Sequence, residues 1–155
     1  MSAILMALYV VIMYFTQSFA FGQYQIRIAT SLYSLSYFFP FLIVPLGLSN
    51  FLSNLLLGGL GPLDFIGGTL VGIITSGGVY LIRKFKLHDL FVIPVIILGP
   101  GLLVPIWLSY LLNIPYFALV ISLCIGQVTP AVAGYVLIKI LAKIKVEKLW
   151  NQNGL

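Results

Sequence analysis

Side chains able to do chemistry are scarce in this chain: three Asp and Glu, eight Lys and Arg, and one histidine in 155 residues. Asp64 stands apart from the charged stretch around Asp89 and from the C-terminal tail, so it has no second carboxylate for acid–base work. His88 lies between Lys86 and Asp89 without the clustered partners of a metal site, and reads as a solvated loop residue. Cys124 is single, sits in an apolar run, and makes no intrachain disulfide. No Gly-rich run ends in Gly-Lys-Ser or Gly-Lys-Thr, which removes ATP hydrolysis through that loop. The residues therefore point away from an enzyme, a resident cofactor, a metal centre and a nucleic-acid surface.

What remains is a thin set of amides and aromatics inside apolar runs. Asn50 and Asn54 are four apart, so a helix puts both on one face with Ser53 beside them. Buried in hydrocarbon, their donors and acceptors need partners, either across helices or from a ligand. Gln127 lies between Gly126 and Thr129-Pro130. An amide beside a glycine and a proline is expected to mark an interrupted helix lining a cavity. Pro94, Pro100 and Pro105, with Gly99 and Gly101, predict a bent or broken fifth segment. Trp107 and Tyr110 suit a flat ligand or, more readily, an interfacial belt.

The elements that must position these groups follow from composition. Hydrophobic residues make up 61% and charged residues 7%, with a mean hydropathy of +1.15. A soluble domain carries roughly 25% charged residues, so neither a water-facing globule nor a disordered chain fits. At ~20 residues per crossing, the length holds about five to seven spans and no separate soluble domain. The apolar runs are Ala3 to Phe19, Ile28 to Phe39, Phe41 to Leu57, Phe65 to Ile82, Leu90 to Leu112 and Tyr116 to Leu141. Ile28–Leu57 as one helix would measure ~45 Å against a ~30 Å hydrocarbon core. Two short or tilted helices meeting at Pro40 are expected instead. Ser18-Phe19-Ala20 has the small-x-small look of a cleavage site, but no Lys or Arg precedes the apolar stretch, which favours a retained first span.

Arg83, Lys84 and Lys86 cluster after the fourth run, and Lys139, Lys143, Lys145 and Lys148 at or beyond the end of the sixth. These regions are two crossings apart and share a side, the cytoplasmic one by the positive-inside rule. The expectation is one all-α integral membrane domain, residues 1–155, with about six spans, the second short. Both termini are then cytoplasmic, residues 142–155 form a short basic tail, and Arg27 is left as the outside cation. Ala3 and Ala7, and Gly68, Gly72 and Ser76, are spaced by four and suit close helix contact.

The stretch Phe21-Gly22-Gln23-Tyr24-Gln25-Ile26-Arg27-Ile28-Ala29 resembles the segment after the first helix of QueT-type transporters. Asn54, Gly58-Gly59-Leu60-Gly61, Asp64 and Gly68-Thr69 are similar to that family's next block. Tyr110-Leu111-Leu112-Asn113-Ile114-Pro115 and Gly126-Gln127 fit its last two spans more loosely. The resemblance implies a substrate-binding S component of an energy-coupling factor (ECF) transporter for a queuosine precursor. It also implies partners, a transmembrane T component and two ATPase subunits, with an Ala-x-x-x-Ala face on the first helix, here Ala3 and Ala7, as the docking site. The chain departs from the family where Thr30 replaces an acidic residue, where Gln127 replaces Glu after Gly126, and at the Gly99-Pro100-Gly101 run. A carboxylate contact to substrate thereby becomes an amide or hydroxyl contact.

On that reading the site faces outward, closed by Gln23, Gln25 and Arg27 and floored by Asn50, Asn54 and Gln127, with Trp107 nearby. Arg27 offers a planar fork to a carbonyl oxygen or a ring face. Asp64 accepts from an amino group or, the favoured role, caps the fourth helix. An S component for another vitamin-like compound, and a self-associating channel or structural protein, are the alternative readings.

Overall fold

A computed structural model of the chain describes residues 1–22 and 24–144. The expected role of Gln23, and all but the first residues of the tail, lie outside the described residues. The order is α1 (Ser2–Phe15), α2 (Gln17–Ala20), a 3-10 helix η1 (Ile28–Tyr37), a 3-10 turn η2 (Pro40–Leu42), α3 (Ile43–Leu57), α4 (Pro62–Lys84), η3 (Asp89–Phe91), α5 (Val92–Leu112) and α6 (Tyr116–Lys143). No strand occurs among the described residues. Four stretches, Pro40–Leu57, Pro62–Lys84, Asp89–Leu112 and Tyr116–Lys143, are long and apolar enough to cross a bilayer, and α1 is a shorter apolar helix. Their outer faces carry side chains such as Ile66, Ile106, Phe117 and Ile121, a surface suited to lipid tails. The molecule is an all-α membrane protein.

The expected second span takes an unusual form. Pro40 separates two elements as anticipated, with its fixed φ at the start of η2. The segment before it, however, is ten residues of 3-10 helix, ~20 Å long at that geometry's rise, where runs beyond four residues are uncommon. Most of η1 is buried, packed among α1, α4 and α6. The Ser36 hydroxyl lies 2.6 Å from the Tyr33 carbonyl and 2.7 Å from the Ser76 carbonyl, tying η1 to α4.

The proline expectations need correction. α5 runs as one helix through Pro100 and Pro105, and α6 as one helix through Gln127 and Pro130. Neither is broken; a donor lost to proline is tolerated in a membrane helix whose neighbours supply packing and polar contacts. The Gly99-Pro100-Gly101 run serves packing. A Cβ on Gly99 would collide with the Thr75 hydroxyl of α4, and one on Gly101 would come within 2.5 Å of the Cys124 sulfur of α6.

The small residues of α4 also meet a neighbour closely. A Cβ on Gly72 would lie 2.9 Å from the Gly47 Cα of α3 and 3.2 Å from the Tyr33 hydroxyl, and one on Gly68 would lie 2.8 Å from the Asn54 amide. At one end of the bundle, Lys139 of α6 pairs with Asp89 at 2.6 Å, and Asp89 accepts from the Tyr37 hydroxyl at 3.3 Å. Arg83 of α4 donates to the Tyr37 carbonyl at 3.1 Å. The two basic regions thus gather at one end, and His88 caps η3 by accepting from the Leu90 N–H. Gly72→Val is expected to destabilise the purified protein by ~1–3 kcal/mol, the usual cost of overpacking. Thermal unfolding in detergent measures it.

Candidate functional site

A cavity of about 320 Å³ lies at the opposite end, between the 21–27 segment, the α3–α4 turn and the facing ends of α5 and α6. Phe21, Gln25 and Arg27 line one side, Leu60 and Asp64 another, and Leu108, Leu112, Ile114, Leu119 and Leu123 supply apolar walls. The volume is that of a small-molecule site, apolar with a few fixed polar groups.

Arg27 is held there by backbone and side chain separately. Gly126 on α6 lets the backbone in, since a Cβ at that position would occupy the place of the Tyr24 carbonyl. The Gln127 amide then donates to the Gln25 carbonyl at 3.3 Å and accepts from the Thr30 hydroxyl at 2.9 Å. That hydroxyl is also 2.7 Å from the Arg27 carbonyl, which accepts the Thr30 N–H at 2.9 Å. The guanidinium itself is buried, with the residue only 6% exposed.

The Arg27 Nη1 donates to the Asn50 Oδ1 at 3.0 Å, and the Asn50 Nδ2 donates to the Tyr33 hydroxyl at 3.0 Å. The Tyr33 and Tyr9 hydroxyls are 3.3 Å apart, and Phe21 presents its ring 5.2 Å from the Arg27 Cζ. Among the described residues no carboxylate comes within 4.0 Å of Arg27, and its buried Nε has no hydrogen-bond partner.

Asp64 does not cap α4 as expected, since Gly61 holds the cap position; it sits in the first turn, where a negative charge suits the helix dipole. It accepts the Leu60 N–H at 3.2 Å and the Trp107 indole N–H at 3.1 Å. Gly58 and Gly61 make this turn possible, with φ of 126° and 108° in the region side-chain-bearing residues avoid. The Asn54 amide donates to the Asp64 carbonyl at 3.2 Å, and its buried Oδ1 has no partner. Trp107 also lies flat against Gly67, whose Cβ would meet the indole at 2.8 Å, while Tyr110 points outward.

Of the residues singled out from the sequence, Gln25, Arg27 and Asp64 therefore line the cavity together. Asn50 and Gln127 stand behind Arg27 around a small void of about 10 Å³ shared with Thr30 and Tyr33. Asn54 and Trp107 hold Asp64. Ala3 and Ala7 are exposed and border a shallow apolar groove with Met6, Val10 and Leu52. Sequence reasoning missed Tyr9, Tyr33 and Phe21. The available signal was that a tyrosine within an apolar span needs a partner for its hydroxyl. Among the described residues no three His, Cys, Asp or Glu side chains gather as a metal site requires.

The molecule is an all-helical membrane bundle with Arg27 and Asp64 on one small cavity. The chain belongs to the QueT transporter family, whose sequence model matches residues 1–143. It is a multi-pass protein of the cell membrane and a transporter rather than an enzyme. No curated protein and no solved structure matches it.

Replacing Gly126 by Ala should push the Tyr24–Gln25 backbone off α6 and free the Gln25 carbonyl from Gln127. In a Cys124→Ser background, Gln25→Cys is then expected to react several times faster with a maleimide when Gly126→Ala is present. Labelling rates in vesicles check this.

Proposed function

We propose that this chain is the substrate-binding S component of an ECF transporter and takes up a queuosine precursor, a base of the 7-deazaguanine type. The observation that carries the reading is Arg27 and Asp64 on one apolar-walled cavity. The polar edge of a deazaguanine presents a carbonyl acceptor beside ring and amino donors. Arg27 matches the carbonyl, and Asp64 keeps lone pairs for the donors after accepting from Leu60 and Trp107. Gln25 closes the entrance, and Asn50, Asn54, Trp107 and Gln127 keep the two charged groups in place. The flat ring lies between Phe21 and the leucine walls.

The cavity is at the end of the bundle away from Arg83 and Lys139. With those cations cytoplasmic, the site opens outward, both termini are cytoplasmic, and α1, η1 and the four longer stretches make six layers across the bilayer. Energy comes from a T component and two ATPase subunits, a division of labour that suits a chain with no Gly-Lys-Ser or Gly-Lys-Thr loop. The Ala3–Ala7 face of α1, exposed and free of charge, docks the T component by close packing.

Mass spectrometry of ligand retained through purification should return a 7-deazaguanine-type mass; retention of another vitamin-like compound would move the assignment to that substrate. Arg27→Gln is expected to weaken 7-deazaguanine binding by ~1.5–3 kcal/mol, the range for a hydrogen bond to a charged group, as read by isothermal titration. An unchanged Kd would remove Arg27 from the site. Ala3→Trp should abolish uptake in cells with intact ATPase subunits while leaving the Kd unaltered. Normal uptake by that variant would displace the docking face from α1.

A further inference from the structure

The Arg27 side chain is buried without a carboxylate, yet it is surrounded by a directed chain of neutral groups. A guanidinium only donates, so the neighbouring Asn50 amide must turn its oxygen toward Arg27, as it does at 3.0 Å. The amide nitrogen is thereby aimed at the Tyr33 hydroxyl oxygen, 3.0 Å away. The Tyr33 and Tyr9 hydroxyls are 3.3 Å apart, and either can donate to the other. Asn50 and Tyr33 each present an oxygen, the negative end of the dipole, on the side of the cation. Tyr9 and Tyr33 are fully buried and their rings are stacked 6.0 Å apart, so neither hydroxyl can turn to water instead. Gly72 seats the Tyr33 hydroxyl against α4, fixing it from the other side.

We infer that Tyr33 and Tyr9 are positioning residues that solvate the Arg27 guanidinium through Asn50, so that it is held aimed at the cavity without an ion-pair partner. A carboxylate in their place would pair with Arg27 and compete with an incoming carbonyl oxygen. Aligned neutral dipoles lower the cost of the buried charge while leaving its net attraction for the ligand intact. The role makes Tyr33 a determinant of specificity for ligands with an acceptor, and it rests on the transport reading only for the identity of that ligand.

Two measurements separate the two ideas. The chain's arginines are Arg27 and Arg83, so selective ¹⁵N-arginine labelling in nanodiscs gives two guanidinium groups, assigned with an Arg83→Lys variant. In the wild type without ligand, the held Arg27 should show resolved Nη–H resonances. Tyr33→Phe should collapse them by freeing rotation about the Nε–Cζ bond, with the Arg83 signals unchanged as evidence of an intact fold. Persisting Arg27 resonances in Tyr33→Phe would overturn the inference. If Tyr33→Phe does not fold, Tyr9→Phe is read in the same way and should broaden them.

The second measurement titrates 7-deazaguanine and 2-amino-7-deazapurine, which lacks the carbonyl oxygen. Tyr33→Phe should weaken the first by about tenfold, or ~1.4 kcal/mol, and leave the second unchanged. Added to Arg27→Gln, it should cost nothing further. Equal loss for both bases, or additive loss in the double variant, would mean that Tyr33 acts on the fold alone. A wild-type chain that binds neither base would overturn the deazaguanine reading, while the resonances still decide the positioning.

Discussion

The buried Arg27 guanidinium is the constraint around which the site end of this molecule is organised. A buried charge is costly unless the groups around it compensate for the lost water. They do so in two layers. The backbone is pinned by Thr30, Gln127 and the bare Gly126 surface, and the charge is met by Asn50, the two tyrosines and the Phe21 ring. These groups come from α1, η1, α3 and α6, so the cation draws together helices far apart in sequence.

The span boundaries were legible because they depend on local hydrophobicity alone. The apolar runs from Phe41, Phe65, Leu90 and Tyr116 each became a helix within a few residues of the expected limits. The break at Pro40 was legible for the same reason, since a fixed φ acts on the adjacent peptide whatever surrounds it. Pro100, Pro105 and Pro130 misled because the continuity of a membrane helix through proline is decided by its neighbours. Gly99 and Gly101 look like a hinge in sequence, yet each matches a protruding group on a different partner helix, Thr75 on one side and Cys124 on the other. The 3-10 geometry of η1 was not legible either. Its burial, and with it the choice of this geometry over an α-helix, depends on packing against three other elements.

The site divides along the same line. Asn50 and Asn54 declared themselves by their four-residue spacing, and both are buried as that spacing demanded. Asp64 declared itself as the acid beside a glycine turn. Arg27 was visible as the cation between two apolar runs, but its burial was not. What buries it is the contact of the Tyr24–Gln25 backbone with Gly126, about a hundred residues away. Tyr9 and Tyr33 were invisible because a phenol inside an apolar run reads as one more hydrophobic ring. Their hydroxyls acquire meaning only once Asn50 stands beside them.

The two faces of α1 bring these strands together. Tyr9 and Met13 are buried on one side of the helix, while Ala3 and Ala7 are exposed on the other. Tyr9 follows Ala7 by two residues, a turn of ~200° about the axis, so the end of the dipole chain and the small-residue face lie back to back. A helix of 14 residues spans about four turns and moves as a unit. Tyr9 thus ties α1 to the guanidinium that lines the cavity, through Tyr33 and Asn50. In this fold the surface suited to a partner helix and the charge suited to a ligand are joined by three hydrogen bonds and one short helix, with no soluble domain between them.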